Sequence, residues 1–261
     1  MARITLLGFG NVGQHLFYAF NKAGHQIIQV YNRTFLHVQP FVALFPKTRF
    51  VENLHSLSLD SDLYLIAVSD NAIQIISENL PTVNVGGVVA HTSGATSIKV
   101  LNTHPNYGVF YPLQTFTAGH EVDFSRIPIC IDGDTESTIY RIEKIAQSLS
   151  KLIYRLNDRQ RSILHVAAVF ANNFTNHLFA IAAEICRENK IPFDILKPLI
   201  AETIHKIQTQ SPDLVQTGPA KRKDLNTIQT HLRLLEEQPE FRKIYQMLSD
   251  NIIQMHSSKS D

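Results

Sequence analysis

Apolar and polar positions change period along this chain, and the change divides it. In the first half, short apolar runs alternate with stretches spaced for helices. Ile4-Thr5-Leu6-Leu7 reads as a buried strand. Residues 11–23 then carry helical spacing through Val12, Leu16, Ala19, Phe20 and Ala23, Gly24 stops that helix, and Gln26–Tyr31 reads as a second strand. Further strands are expected at 48–51, 63–68, 87–91, 109–111, 127–131 and 152–154. Helices are expected at 35–44 (interrupted by Pro40), 72–79 and 136–150. Such alternation predicts an α/β fold with a parallel, doubly wound sheet. Beyond Asn157 the strand signals stop. One long helix is expected over 159–189, with Asn157 or Asp158 as its N-cap, and others near 193–209, 225–237 and 240–256. The expected division is an α/β domain at 1–156 and an all-helical domain at 157–261. The Ser-rich tail from Ser257 is expected to fray.

The turn after the first strand reads Gly8-Phe9-Gly10-Asn11-Val12-Gly13. Glycines at this spacing recur by chance, so the strand–turn–helix context carries the reading. Gly8 permits the tight turn, Gly10 lets backbone approach a pyrophosphate, and Gly13 lets helix and strand pack closely. The helix N-terminus offers unpaired N–H groups to phosphates. At the end of the second strand, Asn32-Arg33-Thr34 stands where NAD enzymes place an acidic residue. A carboxylate would repel a 2′-phosphate, whereas Arg33 flanked by Asn32 and Thr34 would hold one, so NADP is favoured over NAD.

Composition removes several alternatives. With 44% hydrophobic and 18% charged residues, the 261-residue chain is an ordinary globular protein. A formal net charge of +1 argues against a nucleic-acid footprint, and the trio Lys221-Arg222-Lys223 is too short to overturn that. Cys130 and Cys186 make neither a metal spacing nor a disulfide framework, so no metal and a reduced, cytoplasmic setting are expected. Neither a signal peptide nor a membrane span is read.

In open α/β sheets ligands lie beyond the carboxyl ends of the strands. Two more loops qualify there. Val68-Ser69-Asp70-Asn71 is placed near the nicotinamide ribose, the alternative being that Ser69, Asp70 and Asn71 cap the next helix. Ser93, in Thr92-Ser93-Gly94, could bond the carboxamide or substrate; the alternative is a tight turn. On the long helix His165, Asn172 and Asn176 share one stripe at 100° per residue, amid apolar neighbours. His165 is read as a proton donor with Asn172 orienting it or the substrate, against a buried His–Asn pair that knits helices together. Gln114 and Asn176 are candidate substrate contacts. Arg222 beside a helix start, with Asp224, Thr227 and His231 on one face, could hold an anion, unless Asp224 is simply an N-cap.

His91-Thr92-Ser93-Gly94, Tyr111-Pro112-Leu113-Gln114-Thr115-Phe116, His165 with Asn172-Asn173-Phe174, and the segment 217–231 together resemble a family of NADP oxidoreductases. Its members join a Rossmann-like domain to a C-terminal helical domain of uncharacterised function, and the resemblance runs over nearly the whole chain. More distantly the chain is similar to pyrroline-5-carboxylate reductase, prephenate dehydrogenase and deazaflavin-dependent NADP reductases. The resemblance implies a dimer built through the helical domains. One departure is visible, Arg222-Lys223-Asp224 where the family shows Arg-Gly-Asp. The combined reading is an NADP-dependent oxidoreductase acting on a small, anionic carbonyl or imine compound between the sheet edge and the helical domain. The alternative is an NADP-binding sensor or partner-binding protein without turnover.

Overall fold

Strand order decides where a ligand edge falls. The computed structural model describes residues 1–81 and 86–257, so the expected fraying of the tail beyond Ser257 lies outside the described residues. Two compact units divide the chain, Met1–Val169 and Phe170–Asp261. The first holds eight strands: β1 (Arg3–Leu7), β2 (Gln26–Tyr31), β3 (Arg49–Val51), β4 (Leu63–Ile66), β5 (Val88–His91), β6 (Tyr107–Pro112), β7 (Ile129–Gly133) and β8 (Ile153–Arg155). They form one sheet in the order β3-β2-β1-β4-β5-β6-β7-β8. The strand order changes direction between β1 and β4, which puts the switch point beside the glycine turn.

The sheet is not wholly parallel as expected. β7 meets β6 antiparallel, and β8 runs parallel to β7. The chain between β6 and β7 contains only a short 3-10 turn at Phe124–Arg126, so no crossover helix returns it to the starting edge.

Helices α1 (Asn11–Lys22), α2 (Gln39–Val42), α3 (Asp70–Asn79), α4 (Glu136–Ala146) and α5 (Asp158–Ala168) complete this unit. The expected helix at 35–44 is a 3-10 turn followed by the single turn of α2, where Pro40 opens a new helix rather than continuing the old one. Successive strand residues point to opposite faces, and both faces are covered. Leu6, Leu65 and Phe110 pack with Phe17, Phe20 and Ile142 on one side. Leu7, Tyr64 and Ile66 pack with Ile73, Ile76 and Leu101 on the other.

The boundary between units falls after Val169 and not near 156. The first turn of α5 is bound to the sheet unit by Asp158 and Arg161, which explains the difference. The expected single helix over 159–189 is also interrupted. A π-helical turn, Val169–Phe174, separates α5 from α6 (Thr175–Glu188). The Thr175 hydroxyl donates to the Phe170 carbonyl five residues back, at 3.1 Å. A π turn rotates less per residue than an α turn, so the 100° stripe of His165, Asn172 and Asn176 does not carry across it.

In the second unit follow α7 (Lys197–Thr209), α8 (Leu225–Leu234) and α9 (Pro239–Ser257). The core between α8 and α9 is small: Ile228 and Leu232 of α8 are buried with Ala220, and Tyr245, Ile252 and Ile253 of α9 pack against them. Many large apolar side chains of this unit are exposed, Phe170 and Leu199 at 64% and 65% among them.

Candidate active site

Gly8 and Gly13 are where the sheet needs glycine. Gly8 has φ +106°, and a Cβ there would lie 2.5 Å from the Ala67 carbonyl oxygen; one on Gly13 would lie 2.3 Å from the carbonyl oxygen of Gly8. A Cβ on Gly10 would meet nothing within 4 Å. The outer side of the turn is thus open, and the first turn of α1 has no acidic side chain. Such a cradle fits a dinucleotide pyrophosphate, through the backbone of Phe9 to Gly13 and the helix N-terminus.

The Asn32 side chain is tied to the glycine turn and to the segment that follows it. Its side-chain oxygen accepts from the Phe9 backbone at 3.2 Å, and its amide donates to the Thr34 carbonyl at 2.8 Å. Asn32 thus braces the turn, and Arg33 and Thr34 are both exposed beside it. The Asn11 side chain likewise donates to the Phe116 carbonyl. Val68 packs against Gly8. Ser69 is the N-cap residue of α3 without a side-chain cap bond, and Asp70 and Asn71 are exposed in its first turn. A cavity of about 490 Å³ at the ends of β2 and β3 is lined by Tyr31, Asn53, Ile75 and Ile76. A larger one, about 670 Å³, runs along α1 against residues 119–125, and none of the candidate residues lines it.

The second focus lies at the carboxyl edge of β5 and β6. Tyr107, Val109 and Tyr111 share the face opposite Phe110. The Tyr111 hydroxyl lies 3.2 Å from His165 Nδ1, and their rings are 6.1 Å apart. Gly94 sits between them; a Cβ there would lie 2.7 Å from Tyr111 Cζ and 2.8 Å from His165 Nδ1. Burial first, then the neighbouring Cys130 and Asp70, push the Tyr111 phenol up to about 12. Ser93 is buried, and its oxygen accepts from Ala95 and Thr96 backbone N–H, which is the tight-turn reading. Its hydroxyl hydrogen remains able to donate.

A buried cation fixes this edge. Arg161 is fully buried and donates to the Thr96 carbonyl and to Asp158, each at 2.6 Å, with Asp132 3.8 Å away. Asn157 and Gln160 form a capping box at the start of α5. Asp158 is thereby free to accept from Ser97 Oγ at 2.5 Å and the Ile98 backbone at 3.0 Å. Burial opposes its ionisation, but the bonds from Ser97, Ile98 and Arg161 outweigh that and hold its carboxyl below the usual range. Burial, reinforced by Arg161, drives His91 down to about 4, and its Nδ1 accepts the Ser93 N–H at 3.2 Å. Burial also raises the Cys130 thiol to about 11, so it stays protonated.

Sequence reasoning missed Tyr111 and Arg161. Tyr111 had the alternation of β6 as its signal, and Arg161 the i, i+3 spacing from Asp158. Gln114 is exposed and its side-chain oxygen accepts from the next backbone N–H. In the second unit Asn172 and Asn176 are exposed. Asp224 is the N-cap of α8, accepting from Thr227 N and Oγ1, and His231 Nδ1 meets the Tyr245 hydroxyl at 2.8 Å. Asp224 thus occupies the helix end proposed for an anion, while Arg222 stays exposed. Lys223, where glycine was expected, holds φ +57°. Among the described residues no His/Cys/Asp/Glu cluster could hold a metal, and no helix is long and apolar enough to cross a membrane.

Residues 2–115 match the Rossmann-like domain family, and residues 127–252 match a domain of unknown function, DUF2520. The chain is 36% identical to the putative NADP oxidoreductase BF3122 from Bacteroides fragilis, with a TM-score of 0.87 over 97% of this chain and 98% of that one. A reductive aminase from Aspergillus terreus shares the fold at 15% identity and a TM-score of 0.72, covering 98% and 94%. So does 1-pyrroline-5-carboxylate reductase from Streptococcus pyogenes, at 12% and 0.63, covering 98% of each chain. No curated protein matches the chain.

Proposed function

Because the chain belongs to the family of NADP oxidoreductases that join a Rossmann-like domain to a C-terminal DUF2520 domain, we propose that it moves hydride between NADP(H) and a small, anionic carbonyl or imine compound. The observation that carries this reading is the meeting of His165 with Tyr111 over Gly94, at the carboxyl edge where such sheets take their ligands. Bound NADPH would supply the hydride. The backbone of residues 8–13 would grip the pyrophosphate, and Arg33 with Thr34 the 2′-phosphate. Val68, Ser69, Asp70 and Ser93 border the same sheet edge and are assigned to the nicotinamide half. His165 serves the proton side of the reaction, its Nδ1 standing 3.2 Å from the Tyr111 hydroxyl.

Asn172, Asn176, Gln114 and Arg222 are assigned to the substrate, with Arg222 as the partner of its anionic group; Asp224 and His231 support that segment from within. The protein is proposed to act as a homodimer in the cytoplasm. Support for the dimer comes from the apolar side chains that the helical unit leaves exposed, Phe170, Phe174, Leu178, Ile195, Leu199 and Ile207.

The test is NADPH oxidation against a panel of α-keto acids, aldehydes and cyclic imines, followed at 340 nm. Turnover with at least one member is expected. Tight NADPH binding with no turnover across the panel would point to the sensor alternative. Arg33→Ala separates the cofactor question: NADPH should weaken far more than NADH, and equal weakening would remove the 2′-phosphate argument.

A further inference from the structure

The contact between Tyr111 and His165 carries more than a position for the imidazole. We propose that Tyr111 hands the proton to the substrate heteroatom and that His165 reloads Tyr111 through Nδ1. This rests on the reductase reading above and adds Tyr111 as a catalytic residue.

Three observations support that order. Tyr111 stands on β6, a strand paired on both sides, one residue before its carboxyl end. Its hydroxyl is therefore placed by the sheet, next to the loop that follows β5. Gly94 lets ring and imidazole close on each other where any side chain would wedge them apart. Finally, the phenol holds its proton throughout the neutral range, because burial, with Cys130 and Asp70 nearby, raises it to about 12. The phenol is therefore loaded with its proton at neutral pH.

The step balances as follows. Hydride brings its electron pair to the substrate carbon, and the π pair of C=O or C=N moves onto oxygen or nitrogen. That atom takes the Tyr111 hydroxyl proton. The phenolate takes the Nδ1 proton of His165 while Nε2 of that ring, partly exposed, takes one from solvent, and exchange of the ring protons with solvent restores the Nδ1–H tautomer. Stoichiometrically one proton leaves solvent for each NADPH oxidised. Arg161 stands in the same neighbourhood, and its charge lowers the phenol's proton affinity, which favours the brief phenolate.

The test uses the full chain in two arms. In the first, protein labelled with 13C at tyrosine Cζ is titrated from about pH 5 to about pH 9, with Tyr111→Phe identifying the resonance. The Tyr111 signal should shift with the midpoint of the His165 ring, and His165→Asn should abolish that shift. A flat Tyr111 signal would overturn the relay, and this arm needs no substrate. In the second arm, kcat is measured on the panel member that the wild type reduces fastest. Tyr111→Phe should lower it by about 100-fold with NADPH affinity within about twofold, whereas His165→Asn should lower it by about 10-fold. Recovery of His165→Asn in added imidazole would support the reloading role. A Tyr111→Phe enzyme within about threefold of wild type would overturn the relay while leaving the reductase reading standing. A wild type that oxidises NADPH with nothing in the panel would sink the reductase reading, and the relay with it. Should Tyr111→Phe not fold, the wild-type and His165→Asn tyrosine spectra decide alone.

Discussion

Replacing Gly94 by alanine places one methyl group at the point where the Tyr111 ring and the His165 imidazole converge. The new Cβ would lie 2.7 Å from Tyr111 Cζ and 2.8 Å from His165 Nδ1, where ordinary contact begins at 3.4 Å. Tyr111 would have to retreat by about 0.7 Å and the imidazole by about 0.6 Å, in diverging directions. Their hydrogen bond, 3.2 Å in the native protein, would then pass the limit at which it counts as one. Overpacking a site with this freedom costs about 1–3 kcal/mol of stability. In a chain of this size that lowers Tm by about 2–10 °C. The loss of activity should be larger in proportion, about 100-fold in kcat, because misplacing reacting groups by a fraction of an ångström is what catalysis tolerates least. The glycine loop is untouched, so NADPH affinity should stay within about twofold. Thermal melting, NADPH titration and the 340 nm assay read the three quantities. A Gly94→Ala protein with native kcat would refute the argument that this contact organises the reaction, whatever its Tm.

Other expectations follow from the same unit and its neighbour. Arg161→Met should destabilise by about 3–5 kcal/mol in urea unfolding, because it strips a buried guanidinium from Asp158 and the Thr96 carbonyl; a loss below about 1 kcal/mol would show that the site rearranges. His91 binds its proton less well folded, at about 4, than unfolded, at 6.5. Its contribution is therefore complete above pH 6.5 and is lost as pH falls towards 4, by about 3 kcal/mol. His91→Gln should flatten that part of the stability profile, and an unchanged acid slope would assign it elsewhere. Lys223→Gly should stabilise by about 0.5–1 kcal/mol in denaturant titrations by relieving a left-handed lysine, and a destabilised variant would mean that the lysine side chain holds something of its own.

What was legible in the sequence is what depends on neighbours along the chain. Gln26–Tyr31 and the glycine turn are read correctly because strand period and φ-permissive residues are local properties. The direction of β7 was not legible, since an apolar run such as Ile129 to Ile131 suits either polarity and the decision lies in a loop without a helix. The π turn was missed because Val169–Phe174 contains neither Gly nor Pro, and nothing local in it separates a π turn from an α turn. Tyr111 and His165 are 54 residues apart, and Arg161 next to Asp158 looks like a surface ion pair until a sheet covers it. The bond that Asn32 accepts from Phe9 was not legible, because it spans 23 residues.

The reversal at β7 has a consequence in simple lengths. Since β7 and β8 run opposite to β6, the chain leaves β8 heading towards the amino end of β6, and α5 turns back to bring His165 to Tyr111. On the strand side, Val109 is the register partner of Asp132, the carboxylate near Arg161, and Tyr111 stands two residues higher, about 6.8 Å. On the helix side, His165 stands four residues above Arg161, about 6.0 Å. The Asp132–Arg161 approach below and the Tyr111–His165 contact above thus tie strand and helix together at two levels. An all-parallel sheet would have released the helix already at the top, with no lower rung on which to set its height.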